Sequence, residues 1–225
     1  MTEDSGPLEG LEQARSYLRN ADPVLARLID NRPDFDPRAW LAQLPPMDLY
    51  GALLFQVTGQ QLSVLATRRI LARIEALFGG HLPSPAELLD VDPGKLREAG
   101  LSWRKVSTLR DLAERFSDGR LNPDVLSALP DEELMAQLTA VPGIGPWTVQ
   151  GALLVALQRE DVVLPGDLAL RKAVQAAYHL DHRPSQQEVL SIAEEWRPHR
   201  SLATSYLFSA AFEPAGTPPV APSET

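Results

Sequence analysis

The chain of 225 residues contains no cysteine. This absence excludes disulfide bonds, catalysis by a thiolate, and zinc or iron–sulfur sites that cysteine would hold. Long apolar runs are also missing, since none approaches the roughly 18 residues that a membrane-spanning helix needs. The N-terminal sequence MTEDSGPLEG is acidic and fits neither a secretory signal nor a transit peptide. We therefore expect an intracellular protein with no membrane partner.

Several catalytic signatures are missing as well. The sequence has no G-x-S-x-G nucleophile elbow, no Walker loop and no dinucleotide-binding glycine pattern. Its four histidines are scattered, and His179 and His182 are the pair with helical spacing. No carboxylate or further histidine joins that pair at ligand spacing, so the sequence does not predict a metal enzyme.

Positive charge is scarce, because the formal net charge is −9. A generic nucleic-acid binder is basic, so this value argues against one. The charge is uneven: residues 51–120 carry 10 basic and 8 acidic side chains, against 5 and 9 in residues 1–50 and 6 and 13 in residues 121–225. An enzyme that contacts DNA through a narrow face, largely by backbone amides, can be acidic elsewhere.

The patterns that are present indicate helices throughout. Every long segment has helical periodicity and none reads as a strand, so the sequence predicts an all-α fold. Asp48, Ser84 and Ser185 each precede an apolar-periodic run, where they predict helix N-caps. The segment 213–225 is rich in proline and polar residues, which predicts a disordered tail.

One stretch predicts a helix-hairpin-helix. A helix ends near Leu138, the turn Val141–Gly145 follows, and Pro146 opens a second helix. The glycines at 143 and 145 permit positive φ and close backbone approach. Such a turn aims unpaired N–H groups at an anion, and nucleic-acid phosphate is the obvious candidate. Because Pro-Gly-x-Gly turns are common in helical proteins, the turn alone does not decide between phosphate binding and a plain connection.

A second stretch, VVLPGD, ends on Asp167 where another amphipathic helix begins. Aspartate is a leading N-cap residue, so capping is one reading of Asp167. The other reading is catalytic, and both roles can coexist.

These two stretches together resemble the helix-hairpin-helix DNA glycosylase superfamily, and most closely the 3-methyladenine DNA glycosylase II family. The segments GQQ-x-S at Gly59–Ser63 and W-x-P-x-R-S at Trp196–Ser201 extend the resemblance. It implies an all-α, two-lobed fold with the active-site cleft between the lobes, without an N-terminal β domain. We place an N-terminal segment at 1–45, a barrel-like lobe with the hairpin (about 138–150) at 46–165, and C-terminal helices at 166–212.

By this resemblance Asp167 is the catalytic carboxylate. Bifunctional relatives have a lysine where this chain has Trp147, which implies a monofunctional enzyme that leaves an abasic site and does not nick. The resemblance places Trp147, Gly151 and Phe208 in the base pocket, although Trp147 and Phe208 also suit a core. Because the best-studied relative has a tyrosine where this chain has Gly151, we expect a more open pocket.

The resemblance also implies DNA contacts, for some of which plain surface or core roles remain alternatives. The candidates are Gln60, Gln61, Leu62 and Ser63 in the loop that fills the gap of an extruded base, Gly143, Ile144, Gly145 and Thr148 in the hairpin, and Lys105. Either Gln61 or Leu62 is the intercalating plug; wedge residues are usually apolar, which favours Leu62. The hairpin carbonyls of Thr139, Val141 and Ile144 are candidate ligands for Na⁺ or K⁺, as in relatives. Arg200 reads as a structural ion-pair or capping residue.

The function implied is excision of alkylated purines, of the 3-methyladenine and 7-methylguanine class, in base excision repair. We expect a cytoplasmic monomer, nucleoid-associated in a bacterium, that acts on damaged double-stranded DNA and requires no cofactor. Two alternatives remain open: a non-enzymatic helix-hairpin-helix DNA-binding module in which Asp167 is only a cap, and a helical adaptor without DNA contact.

Overall fold

The computed structural model describes residues 7–36, 39, 44 and 47–212, and every regular element in them is a helix. This confirms the all-α fold class. In chain order the helices are α1 (Pro7–Ala21), α2 (Pro23–Asp30), α3 (Leu49–Gly59), α4 (Val64–Leu77), α5 (Pro85–Asp90), α6 (Pro93–Glu98), α7 (Trp103–Ser117), α8 (Pro123–Ala128), α9 (Asp131–Thr139), α10 (Pro146–Val155), α11 (Leu168–Ala177), α12 (Gln186–Ala193) and α13 (Arg200–Phe212). A 3₁₀ turn at Glu194–Trp196 follows α12. The tail predicted at 213–225 lies outside the described residues.

None of the helices in the described part of the chain has both the length and the apolar character needed to cross a membrane. The chain divides into two compact units. Unit A comprises Met1–Leu44 and Arg159–Thr225, and unit B comprises Pro45–Gln158.

Polar N-caps start the helices where the sequence predicted them. The Asp48 carboxylate accepts a hydrogen bond from a backbone N–H in the first turn of α3. Ser84 forms a capping box with Glu87 at the start of α5. Ser185 forms the same arrangement with Glu188 at the start of α12. Because caps satisfy N–H groups that a helix end leaves unpaired, these residues fix where the elements begin.

Unit B is organised around α3, which is buried on nearly all sides. A helix that is apolar all round belongs in the centre of a fold. It packs against α4, α7, α8 and α10. The helix that ends the hairpin, α10, is likewise largely apolar and makes its most extensive contacts with α3. We call this α3–α10 interface the hairpin seam.

Within unit A, the buried carboxylate of Asp22 links three elements through hydrogen bonds. Asp22 accepts hydrogen bonds from the N–H groups of Val24 (2.7 Å) and Leu25 (3.2 Å), and so caps α2. It also accepts from the hydroxyl of Tyr178 and, at 3.0 Å, from the indole N–H of Trp196. Burial and this bond to Asp22 raise the pKa of Tyr178. One carboxylate therefore joins α2 to the end of α11 and to the 3₁₀ turn.

The boundary between the units differs from the one drawn from the sequence, which placed it between residues 165 and 166. The structure places it between Gln158 and Arg159. The reason is that the segment 159–162 is bonded to α13. The Ser201 N–H donates to the Glu160 carbonyl at 2.9 Å, and the Val162 N–H donates to the Ser201 hydroxyl at 3.0 Å.

Candidate active site

The hairpin connects α9 to α10 as the sequence predicted. Inside the turn the Ile144 N–H donates to the Val141 carbonyl at 3.0 Å. Gly145 is the N-cap of α10 and has no side chain to cap it, while Pro146 occupies the first helical position. Among the described residues, the N–H groups of Gly143 and Gly145 donate to no other group. The turn thus presents two unpaired N–H donors at the positive end of a helix dipole.

Only one of the two hairpin glycines is required by backbone conformation. Gly143 has φ +91°, and a Cβ there would lie 2.1 Å from the hydroxyl oxygen of Thr108 on α7. Gly145 has φ −105°, and a Cβ there would meet nothing within 4 Å. Gly143 therefore allows α7 to pack directly against the turn, whereas a larger residue would fit at position 145.

Two of the hairpin residues predicted to contact DNA face inward. Ile144 is 4% exposed and Thr148 is 2% exposed. The Thr148 hydroxyl accepts a hydrogen bond from Gln60 Nε2 at 2.9 Å, and its N–H donates to the Gly145 carbonyl at 3.0 Å. In this structure both residues hold the turn in shape, and the donors of the turn that remain unpaired among the described residues are the N–H groups of Gly143 and Gly145.

The loop after α3 is tied to the hairpin seam at its first residue. Gln60 Nε2 donates to the Gly143 carbonyl at 3.0 Å as well as to Thr148. Lys105 Nζ donates to the carbonyls of Thr58 and Gln60, both at 2.8 Å, and burial lowers the pKa of Lys105. The predicted contacts Gln60 and Lys105 thus bond within unit B, where they hold the loop in place.

The outward part of this loop is Gln61 and Leu62. Gln61 is exposed and has φ +58°, a left-handed conformation that non-glycine residues seldom adopt. Leu62 is 42% exposed, and Leu65, one helical turn further, is 60% exposed. Ser63 caps α4 through its hydroxyl, which accepts from the Ala66 N–H at 3.3 Å. The loop therefore has a fixed base and an exposed, partly apolar tip.

In unit A, Asp167 stands at the start of α11. Its side chain accepts a hydrogen bond from the Leu170 N–H at 2.9 Å, which confirms the N-cap reading. The residues before it, Val163–Pro165, are buried, while Asp167 itself is half-exposed and Leu168 is 51% exposed. The buried segment before Asp167 and the cap bond together fix the position of this half-exposed residue.

The segment that leads to Asp167 is clamped by the start of α13. Arg200 Nε donates to one carboxylate oxygen of Asp161 at 2.5 Å, and its Nη2 donates to the other at 2.9 Å. This bidentate pair confirms the structural role predicted for Arg200. The Ser201 hydroxyl donates to the Arg159 carbonyl at 2.6 Å. Sequence reasoning missed the part that Ser201 plays.

The residues predicted to line a base pocket lie in both units. Trp147 on α10 and Phe208 on α13 are half-buried. The space directly beside Gly151 is occupied, while the more open base pocket expected from this glycine stays a prediction. A Cβ at Gly151 would lie 2.4 Å from Cδ, 2.5 Å from Nε2 and 2.7 Å from Oε1 of Gln56, so the carboxamide of Gln56 occupies that space. Gln56 lies four residues before Gln60 on α3, and this Q-x-x-x-Q spacing was the available signal for it.

The chain matches the family model of the HhH-GPD superfamily base excision DNA repair proteins over residues 56–199, which include the hairpin and Asp167. The DNA-3-methyladenine glycosylase 1 of Schizosaccharomyces pombe is 31% identical over 214 residues, covering 94% of this chain and 92% of that protein.

Solved structures agree with this match. That of the 3-methyladenine DNA glycosylase of Schizosaccharomyces pombe in complex with abasic DNA is similar with a TM-score of 0.82 at 30% identity, covering 91% of this chain and 99% of that chain. The 3-methyladenine DNA glycosylase of Archaeoglobus fulgidus has a TM-score of 0.75 at 26% identity, covering 89% of this chain and 69% of that chain. The resemblance stated from the motifs is thereby confirmed, and this chain belongs to the HhH-GPD superfamily of base excision DNA repair proteins.

Proposed function

We propose that this protein is a DNA glycosylase that removes alkylated purines, 3-methyladenine and 7-methylguanine among them, from double-stranded DNA by hydrolysing the N-glycosidic bond. The observation that carries the proposal is the half-exposed carboxylate of Asp167, held by its cap bond at the start of α11. It stands within the matched family region, and relatives of similar sequence are named 3-methyladenine glycosylases.

The chemistry requires an anion close to the sugar. When the glycosidic bond breaks, positive charge grows on C1′ and the ring oxygen while the base leaves with the bonding electrons. An aspartate carboxylate held against C1′ stabilises that charge, or accepts a proton from the water that attacks it. In either role Asp167 acts as the carboxylate.

In this proposal the hairpin binds the DNA backbone. The unpaired N–H groups of Gly143 and Gly145 would donate to a phosphate in front of α10. Backbone donors need no positive side chain, so an acidic chain with net charge −9 can still bind DNA through this face.

The loop tip at Gln61 and Leu62 would occupy the space that the extruded nucleotide leaves in the duplex. Leu62 is apolar and 42% exposed, and an inserted apolar side chain replaces base stacking with packing. Lys105 and Gln60 would serve by keeping the base of the loop rigid. We propose that one copy of the chain suffices for this binding.

We also propose that the enzyme does not cut the DNA strand. A glycosylase with lyase activity needs an amine that forms a Schiff base with the sugar. The hairpin position at which bifunctional relatives have lysine is Trp147 here. The product would then be an intact strand with an abasic site.

We also propose that a monovalent cation binds at the hairpin, because carbonyl oxygens that could ligate it are present there. Thr139 is the last residue of α9, where carbonyl groups lack partners within the helix and the dipole is negative. The Val141 carbonyl accepts one bond, from Ile144, and keeps a second lone pair. Thr139, Val141 and Ile144 would hold Na⁺ or K⁺ through these carbonyls, and the ion would support the turn that binds phosphate.

The direct test is to incubate the purified protein with methylated double-stranded DNA and to measure released bases by chromatography and strand breaks by gel. We expect free 3-methyladenine and 7-methylguanine, abasic sites that break only after alkali, and no borohydride-trapped adduct. Binding to a duplex with an abasic-site analogue, without release of any base, would contradict the enzyme and favour a DNA-binding module. If the protein neither releases a base nor binds that duplex, the result would favour a helical adaptor without DNA contact.

A further inference from the structure

The hairpin seam contains two glutamines with different surroundings. The amide nitrogen of Gln60 is engaged, since it donates to the Gly143 carbonyl and the Thr148 hydroxyl. Gln56, one helical turn earlier on the same face of α3, lies over Gly151. Gln56 is 8% exposed, and among the described residues no group forms a hydrogen bond with its carboxamide.

A buried carboxamide without partners is costly. Burying an amide without a hydrogen bond opposes folding, and most buried polar groups in proteins are therefore paired. A leucine or methionine of similar size would pack at this position without this cost. The carboxamide of Gln56 thus has a donor and an acceptor that a partner outside the chain could use.

The carboxamide is not sealed inside the protein. The hydroxyl oxygens of Tyr50 and Thr58, which also lack partners, are fully enclosed, whereas the amide oxygen and nitrogen of Gln56 are not among the enclosed atoms. Gly151 provides the room, because any Cβ there would lie 2.4 Å from the Gln56 Cδ and displace the group. The seam therefore holds a polar group at its margin, positioned by α10 and still accessible.

We propose that the Gln56 carboxamide reads the hydrogen-bonding edge of the base that the enzyme removes. This inference rests on the proposed glycosylase function and adds a residue that determines specificity. A carboxamide presents a C=O acceptor beside an N–H donor. The guanine edge offers the O6 acceptor beside the N1–H donor, and the adenine edge offers the N6–H₂ donor beside the N1 acceptor.

One side chain can match both purines, because rotating the amide by half a turn exchanges its donor and its acceptor. Methyl groups at purine N7 or N3 leave this edge unchanged, so the same contact serves both lesions. Flipped bases are commonly read at this edge by a small number of hydrogen bonds. Gln56 would therefore favour purines without distinguishing strongly between 7-methylguanine and 3-methyladenine.

The test compares single-turnover excision of the two bases by wild type, Gln56→Met and Gln56→Glu. The methionine keeps the length of the side chain but has no amide, so both hydrogen bonds to the base are lost and we expect both rates to fall by about tenfold or more. The glutamate carboxylate only accepts hydrogen bonds. Guanine offers it two adjacent donors, N1–H and N2–H₂, whereas adenine offers the N6–H₂ donor beside the N1 acceptor, which faces a carboxylate unfavourably. We therefore expect Gln56→Glu to shift the excision ratio about tenfold toward 7-methylguanine.

Two controls separate reading of the base from a structural role. Binding to a duplex with an abasic-site analogue, which lacks a base, should stay within about twofold of wild type for both variants, since the lost hydrogen bonds involve the base alone. Gln137→Met, at an exposed position of α9, should excise at the wild-type rate.

An unchanged base ratio in Gln56→Glu, or equal losses of excision and abasic-DNA binding in Gln56→Met, would overturn the inference. Failure of the wild type to release either base would instead overturn the proposed function.

Discussion

Asp22 in unit A and Gln56 in unit B are both buried polar side chains, with exposures of 6% and 8%. The Asp22 carboxylate accepts four hydrogen bonds from three separate elements. The Gln56 carboxamide forms none with the described part of the chain. The first group therefore stabilises the fold that surrounds it, and the second costs stability, which is expected of a group kept for a ligand.

The largest effect on stability should come from Asp22→Ala. The change removes the cap of α2 and leaves the Tyr178 hydroxyl and the Trp196 indole N–H buried without an acceptor. We expect the free energy of unfolding to fall by about 3–5 kcal/mol, measured by urea denaturation.

Asp22→Asn is the matched control, because asparagine still caps a helix and still accepts hydrogen bonds. It should lose less than half of that amount. If Asp22→Ala lowers the free energy of unfolding by less than about 1 kcal/mol, the four hydrogen bonds contribute little to stability. Asp22 would then not differ from Gln56 in the way described above.

Lys105→Met should have an intermediate effect, because Lys105 supports the loop from within. Two carbonyls, those of Thr58 and Gln60, would lose their donor, at a cost of about 1–2 kcal/mol. Affinity for abasic-site DNA should fall, since the loop tip is less well held. Arg104→Met is the control, because it removes the same charge at an exposed position of α7.

The salt dependence of DNA binding distinguishes support of the loop from a phosphate contact by Lys105. A residue that neutralises a phosphate lowers the slope of log affinity against log salt by about one when it is removed. We expect the slope to be unchanged in Lys105→Met. A reduction by about one would instead show the direct contact inferred from the sequence.

Gln56→Met should move stability in the opposite direction from Asp22→Ala. Replacing an unpaired amide with an apolar side chain of similar length should raise the free energy of unfolding by about 1 kcal/mol. Calorimetry or urea denaturation of the two proteins measures this. A clear loss of stability would indicate that Gln56 contributes to the packing of α3 on α10, and the contrast with Asp22 would disappear.

The smallest effect concerns the exposed capping box of α12. Hydrogen bonds from Ser185, together with His182, lower the pKa of Glu188 to about 2. A lowered carboxyl pKa contributes stability that is present above the unfolded value of about 4.3 and is lost as the pH falls toward 2. Glu188→Gln should therefore flatten the decline in stability between pH 5 and 2, which urea denaturation at each pH measures.

The elements of the fold could be predicted because their signals are local. Helical periodicity, the caps at Asp48, Ser84 and Ser185, and the Pro-Gly turn each depend on neighbours within a few residues. The structure confirms the positions of these helices. The boundary at Gln158 could not be predicted, since it depends on bonds from Ser201 to residues about forty positions earlier in the chain.

The candidate site was only partly predictable for the same reason. The motif identified Asp167 and the hairpin glycines. That Gln60 and Lys105 bond inside unit B, and that Gln56 fills the space at Gly151, depends on which helices pack together. A glycine in place of a larger residue suggested a gap, but the neighbouring side chain determines whether a gap exists.

The central claim is that the Asp167 carboxylate carries the chemistry in addition to capping α11, and Asp167→Asn separates the two roles. Asparagine caps as well as aspartate, so α11 should keep its N-cap in this variant, and circular dichroism should show an unchanged helix content. Single-turnover release of 7-methylguanine should nevertheless fall by a factor of about 100 or more, because the charge that stabilises the transition state is gone. Release at the wild-type rate by this folded variant would contradict the account.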